Sequence, residues 1–131
     1  MIAAELIERY KAGGRIFAGA NLRDADLTGA ILAGANLAGT NLTGAILTGA
    51  NLSAVYLRDA DLTGANLRGT NLRGANITGA NLTGADLRYA DLYGAYLRGA
   101  GLTGAIMTGA NLSGASLRGA YLWLGNHRVT L

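Results

Sequence analysis

Few residues of this 131-residue chain have the types and spacing that chemistry requires. Asp59 with Asp61 and Asp86 with Asp91 can be read as candidate catalytic carboxylates. Two carboxylates do acid–base work when a cleft separates their pKa values and a base, nucleophile or metal completes the set. The chain supplies no such set: it has no cysteine and a single histidine, His127, close to its end. That excludes a thiolate nucleophile, a disulfide framework and a multi-histidine metal site. Surface aspartate, solvated or paired as Asp86 could be with Arg88, is the stronger reading, and His127 reads as an exposed tail residue. Gly99-Ala100-Gly101-Leu102-Thr103-Gly104 spells G-x-G-x-x-G, but that pattern cradles a pyrophosphate only between a strand and a helix, a context the chain lacks. Glycosylation sequons such as Asn41-Leu42-Thr43, Asn51-Leu52-Ser53 and Asn81-Leu82-Thr83 are by-products of a repeat and say nothing of secretion. No enzyme, cofactor, metal or small-molecule substrate is expected.

What must position the side chains is that repeat. From Phe17 to Leu122 a large apolar residue falls at every fifth position, always Leu except at Phe17, Ile77 and Met107. These make 22 uninterrupted pentapeptides. Ala sits two residues earlier, replaced only by Arg15, Thr40, Val55 and Thr70. Between the two lies mostly Asn or Asp; after the Leu come Thr, Ser, Ala or Arg and then Gly. With 21 Gly, no Pro and no three-residue period, the chain is not collagen. Charged residues at 15% and hydrophobic residues at 50% argue against disorder. Mean hydropathy is +0.25, yet polar residues interrupt every apolar run, so a membrane span is not expected. The N-terminus lacks a basic stretch followed by an apolar one, which predicts a cytoplasmic location.

A period of five fits neither regular element. On an α-helix successive Leu would drift round every face, and on a strand they would alternate between faces. All can share one core only if the chain bends once per pentapeptide. Ala and Leu then point inward, Asn or Asp points outward, and Gly supplies the positive φ of a type II turn. Such a chain coils into a solenoid. Four corners depart from Gly, namely Asp24, Ala54, Asp59 and Tyr89. Asp tolerates a left-handed backbone; Ala54 and Tyr89 do so poorly and are expected to use another turn.

The units Ala50-Asn51-Leu52-Ser53-Ala54, Ala60-Asp61-Leu62-Thr63-Gly64 and Ala110-Asn111-Leu112-Ser113-Gly114 resemble the pentapeptide-repeat protein family, over residues 15 to 124. The resemblance implies an all-β solenoid: a right-handed quadrilateral β-helix with four pentapeptides per coil, hence about five and a half coils. Glu5 to Gly13 is similar to N-terminal segments of cyanobacterial members. Residues 1–14 are expected to form a short α-helical cap, with Ile2, Leu6, Tyr10, Ala3 and Ile7 on one stripe, Glu5 four residues before Arg9, and Gly13-Gly14 as the stop. Residues 15–124 form the β-helix and residues 125–131 a tail, all within one domain.

Function must then lie on outward positions. Tyr56, Arg58, Tyr96, Arg98 and Arg118 fall in register on one face, and Tyr89 and Tyr93 belong to the coil of Tyr96. Tyr and Arg are favoured at protein interaction hot spots and also suit single-stranded nucleic acid. The plain alternative is a solvated face on which Arg covers apolar surface. A net charge of +3 is too small to imply nucleic acid binding. Thr43, Thr63, Thr83 and Thr103 form a column of the kind seen on ice-binding solenoids, a remote alternative. The expected function is a non-enzymatic scaffold for an unidentified protein partner. The resemblance offers a second reading, because some family members mimic DNA and bind type II topoisomerases such as gyrase. That mimicry needs a strongly negative rod, whereas this one carries Arg at seven corners. Finally, Trp123, Leu124, Val129 and Leu131 form a short apolar tail able to turn at Gly125-Asn126 over the last coil. Either it leaves enough free edge for an end-to-end homodimer, or the chain is a capped monomer.

Overall fold

A computed structural model describes residues 1–131 in full. Parallel bridges join residues twenty apart, from Ile16 with Asn36 to Gly101 with Tyr121, so four pentapeptides complete one coil. Within a side, the Leu42 N–H donates to the Asp61 carbonyl (2.7 Å) and the Asn41 N–H donates back to that of Ala20 (3.0 Å). At each corner the Ala N–H donates to the preceding Leu carbonyl, as Ala45 does to Leu42 at 3.0 Å, with Gly44 between them at φ 67°. This is the type II turn that the glycine position predicts.

The non-glycine corners correct one expectation. Ala54 (φ 53°) and Tyr89 (φ 61°) adopt the same left-handed backbone as Asp24 (φ 57°) and Asp59 (φ 59°). The ladder dictates this. The Ala54 N–H donates to the Arg73 carbonyl (2.9 Å) and Val55 closes the turn onto Leu52 (3.2 Å), bonds that a different turn would forfeit. A left-handed residue costs about 1–2 kcal/mol, comparable to these hydrogen bonds.

The Leu and Ala side chains stack inside. Leu22 through Leu97 are buried in one cluster with Ala and Val55, and Thr40 and Thr70 are buried as well. The two threonines are satisfied there, Thr40 Oγ1 donating to the Leu37 carbonyl (2.8 Å) and Thr70 Oγ1 to that of Leu47 (2.9 Å).

Before the first coil, α1 spans Ala3–Lys11. Leu6 is wholly buried against the coil, with Ala3, Ile7 and Tyr10 packed beside it. Ile2 lies outside the helix as its N-cap and is exposed, so the apolar stripe is shorter than the sequence suggests. Arg9 pairs with Glu5 at 2.6 Å, Ala12 is the C-cap, and Gly13 follows at φ 100°. At the other end β1 (Tyr121–Leu124) and β2 (His127–Thr130) form an antiparallel hairpin, with Leu122 opposite Val129. The hairpin therefore begins within the last pentapeptide, at Tyr121. No helix is long and apolar enough to cross a membrane.

Candidate interaction surface

The outward Asn and Asp side chains have a job at the backbone that their role as mere spacers did not reveal. Each places Oδ1 over the N–H two residues on: Asn71 accepts from Arg73 at 3.1 Å, Asp61 from Thr63 at 3.0 Å, Asp86 from Arg88 at 3.0 Å. These Asx turns brace the entry to every such corner. The signal was present in the sequence, since both residue types share that acceptor.

The same contacts hold these carboxylates in their charged form. Donation from the Thr63 hydroxyl and N–H holds Asp61 below its ordinary pKa, and Thr28 does the same for Asp26. Asp91 is lowered by the Tyr93 N–H and by Arg73. Asp86 falls to about 2, chiefly because Arg88 donates Nε and Nη2 to its two oxygens at 2.9 and 2.7 Å. A general acid at neutral pH needs the opposite shift. Asp59 faces Arg58, Nε to Oδ2, at 3.8 Å, and its other oxygen lies against Gly79 of the next coil. No three His, Cys, Asp or Glu side chains gather where they could hold a metal ion.

The tyrosines divide into two groups. Tyr56 and Tyr96 stand on one side of the rod, two coils apart with Asn76 bridged between them, and each is 52% exposed. Arg98 and Arg118 occupy the adjoining corner column, their carbonyls in the ladder but their guanidinium groups in no hydrogen bond or ion pair, while Arg58 meets Asp59. Tyr89 and Tyr93 sit at corners and are engaged: Arg68 sits over the Tyr89 ring at 5.4 Å and Arg73 over the Tyr93 ring at 4.5 Å. Arg73 also reaches Asp91 at 3.1 Å. The Tyr89 ring lies against the Gly109 Cα, where a side chain would collide with it. The register thus sets Tyr56 and Tyr96 on one side with Arg98 and Arg118 at its corner, whereas the rings of Tyr89 and Tyr93 are held by Arg68 and Arg73.

The threonine column is partly occupied with its own chain. Thr63 and Thr83 donate their hydroxyls to Asp61 and Asn81, and Thr103 Oγ1 accepts from the Trp123 N–H at 3.0 Å.

At the C-terminal end Met107, Leu112 and Leu117 are only half-buried. The N–H groups of Gly104, Met107, Gly109, Leu112, Gly114 and Leu117 have no backbone acceptor, unlike their counterparts in earlier coils. The tail closes just one corner, Gly119 N–H donating to Leu131 (3.0 Å) and Leu131 N–H to Ala120 (2.8 Å). Val129 is half-buried opposite Leu122, whereas Trp123, Leu124 and Leu131 are exposed.

Comparison with known proteins places this geometry. The family model described as Pentapeptide repeats (8 copies) matches residues 20–59, 50–88 and 85–123. Among solved structures, the chain is 32% identical to a pentapeptide repeat protein (Rfr23) from the cyanobacterium Cyanothece 51142, with a TM-score of 0.85 over 92% of this chain and 95% of that one. It is 30% identical to AT2G44920, a pentapeptide repeat protein from the Arabidopsis thaliana thylakoid lumen, with a TM-score of 0.54 over 79% and 71% of the two chains. QnrB1, a plasmid-mediated fluoroquinolone resistance protein, is 23% identical over 80% of this chain and 64% of its own, with a TM-score of 0.55, a likeness of fold alone. No curated protein matches the chain.

Proposed function

The chain belongs to the pentapeptide-repeat family, whose members form right-handed quadrilateral β-helices, and on that premise we propose that it is a non-enzymatic scaffold that presents one face to a protein partner. The observation that carries this reading is the Tyr56–Tyr96 column with Arg98 and Arg118 beside it. These side chains are exposed and enter no ion pair or cation–π contact within the chain. Two coils separate the tyrosines, about 10 Å along the axis, a spacing that a rigid ladder holds constant. Rigid aromatic and guanidinium groups lose little conformational freedom on binding, which is why they dominate interfaces.

The finer architecture serves the same reading. α1 closes the first coil, and about five and a half coils form the shaft between it and the hairpin. Comparative capture of partners by full-length protein and by the triple variant Tyr56→Thr, Tyr96→Thr, Arg98→Thr tests the proposal. Thr is already common at the corner position that Arg98 occupies, and Tyr56 and Tyr96 lie outside the core, so the fold should be kept, as circular dichroism and melting would show. Bound partners are expected to be lost from the triple variant and retained by a control carrying Thr43→Ser, Thr63→Ser and Thr83→Ser. Undiminished capture by the triple variant would overturn the reading.

A further inference from the structure

The rule that outward positions carry Asn or Asp is broken by aliphatic residues at Ile16, Ile31, Ile46 and Ile106. Ile31 belongs to the first coil and is 65% exposed, so the core does not require it. It forms instead one wall of a pocket of about 490 Å³ between α1 and the first coil. Ile7 and Tyr10 of the helix face Ala30 and Ile31 across it, with Gly29 and Thr28 beside them. Lys11 and Arg15 complete the lining, which contains no acidic residue.

The two cations differ in how they are held. Arg15 is fixed: its guanidinium lies 3.7 Å from the centre of the Tyr10 ring, and Nη1 donates to the carbonyls of Tyr10 (2.9 Å) and Gly14 (2.8 Å). The Tyr10 ring is itself anchored, its hydroxyl donating to the Ala33 carbonyl at 2.7 Å. Arg15 Nε and Nη2 make no hydrogen bond to the chain. Lys11 makes no ion pair. A concave apolar surface with a few convergent polar groups is the usual form of a small-ligand site, and this volume lies within the common range of about 300–1,000 Å³.

We propose that this pocket binds a small aliphatic carboxylate, of the size of a medium-chain fatty acid, as a ligand that is held and not converted. The tail lies between Ile7 and Ile31, and the carboxylate meets Lys11 and the unoccupied donors of Arg15. Positive charge at the mouth selects an anion, since a neutral or cationic head would leave both side chains uncompensated there. Tyr10 and Arg15 are positioned before binding, so the ligand need not order them.

Octanoate titrated into ¹⁵N-labelled full-length protein provides the test. The expected result is saturable one-site shifting of the amides of Ile7, Lys11, Arg15 and Thr28 to Ile31, with no saturable response to octylammonium. Ile31→Asn restores the residue usual at outward positions and preserves the fold; Lys11→Glu alters an exposed side chain. Each should weaken octanoate binding about tenfold or more. Octanoate shifts confined to the open last coil, equal affinity for octylammonium, or unchanged affinity in both variants would each overturn the proposal. A short peptide ending in leucine that bound more tightly than octanoate would assign the pocket to protein C-termini and overturn the small-ligand reading as well.

Discussion

The two ends of the rod have the same interior and opposite fates. At the N-terminal end the first-coil residues Leu22, Leu27 and Leu32 are at most 1% exposed, because α1 lays Leu6 across them. At the C-terminal end Met107, Leu112 and Leu117 occupy equivalent positions yet remain half-buried, because the hairpin closes a single corner. Even polar groups follow the difference. Tyr10 and the Met1 amino group donate to the first-coil carbonyls of Ala33 (2.7 Å) and Asn21 (3.3 Å), whereas the last coil keeps a row of unpaired donors. A pentapeptide does not bury its own leucine. Burial is a property of neighbours, and the end coils show what one missing neighbour removes.

The largest expected effect follows from that contrast. Leu72→Ala and Leu6→Ala should each destabilise the protein by about 2–5 kcal/mol, since both sites are enclosed on every side. Leu117→Ala should cost about 1 kcal/mol, because the half-exposed site can collapse or fill with water. Urea unfolding followed by circular dichroism measures all three. Equal losses at Leu72 and Leu117 would mean that the last coil is covered in solution.

Such a cover bears on the next prediction. We propose that the open edge pairs with that of a second copy, end to end, its unpaired N–H groups donating to the free carbonyls of Ala105, Ala110 and Ala115 on the other copy and its half-buried leucines meeting theirs. Full-length protein should then dimerise across a dilution series in light scattering, and a chain ending at Leu124 should associate more strongly because the tail shields part of the edge. A full-length chain that stays monomeric at high micromolar concentration sinks the dimer. The expected interface is small, on the order of one rod cross-section per partner, so a weak and reversible association is anticipated.

Acid probes the shaft, which belongs to neither end. Asp86 titrates at about 2, below its ordinary 3.8, because the Arg88 guanidinium grips its charged form. Its stabilising contribution is therefore complete above pH 3.8 and vanishes as the pH falls through about 2. Asp86→Asn should flatten the decline in stability over that window, by little, because the pair is on the surface. The variant should leave the difference between Leu72→Ala and Leu117→Ala untouched; a change in that difference would show that the ends feel the shaft's charges.

The repeat was legible because the five-residue spacing excludes both regular elements, and a twenty-residue register then sorts Tyr56 with Tyr96. The interactions of Tyr89 and Tyr93 were not legible. Which arginine of the previous coil lies under each ring depends on corner geometry that the repeat letters do not encode. The pocket was harder still, since nothing in the pentapeptides states which way α1 crosses the first coil. Ile31 in place of Asn was its one trace. The corner at Ala54 was misread for a different reason: local backbone preference pointed away from a left-handed turn, and the ladder overruled it.

That misreading yields the smallest prediction and the most direct comparison of a corner with itself. Ala54 carries a Cβ at φ 53°, a cost of about 1–2 kcal/mol relative to a right-handed backbone. Glycine escapes that cost and incurs about 0.5–1 kcal/mol of extra chain entropy on folding. Ala54→Gly should therefore stabilise the protein by a few tenths to about 1 kcal/mol, with nothing lost from the core because the position is exposed. Tyr89→Gly gains the same relief but gives up the Arg68 stack over the ring and the ring's contact with Gly109, so it should come out nearer to zero. Paired urea titrations of the two variants resolve the difference. If Ala54→Gly instead destabilises by more than about 1 kcal/mol, the left-handed corner is not strained at that site, and the ladder need not have overruled anything there.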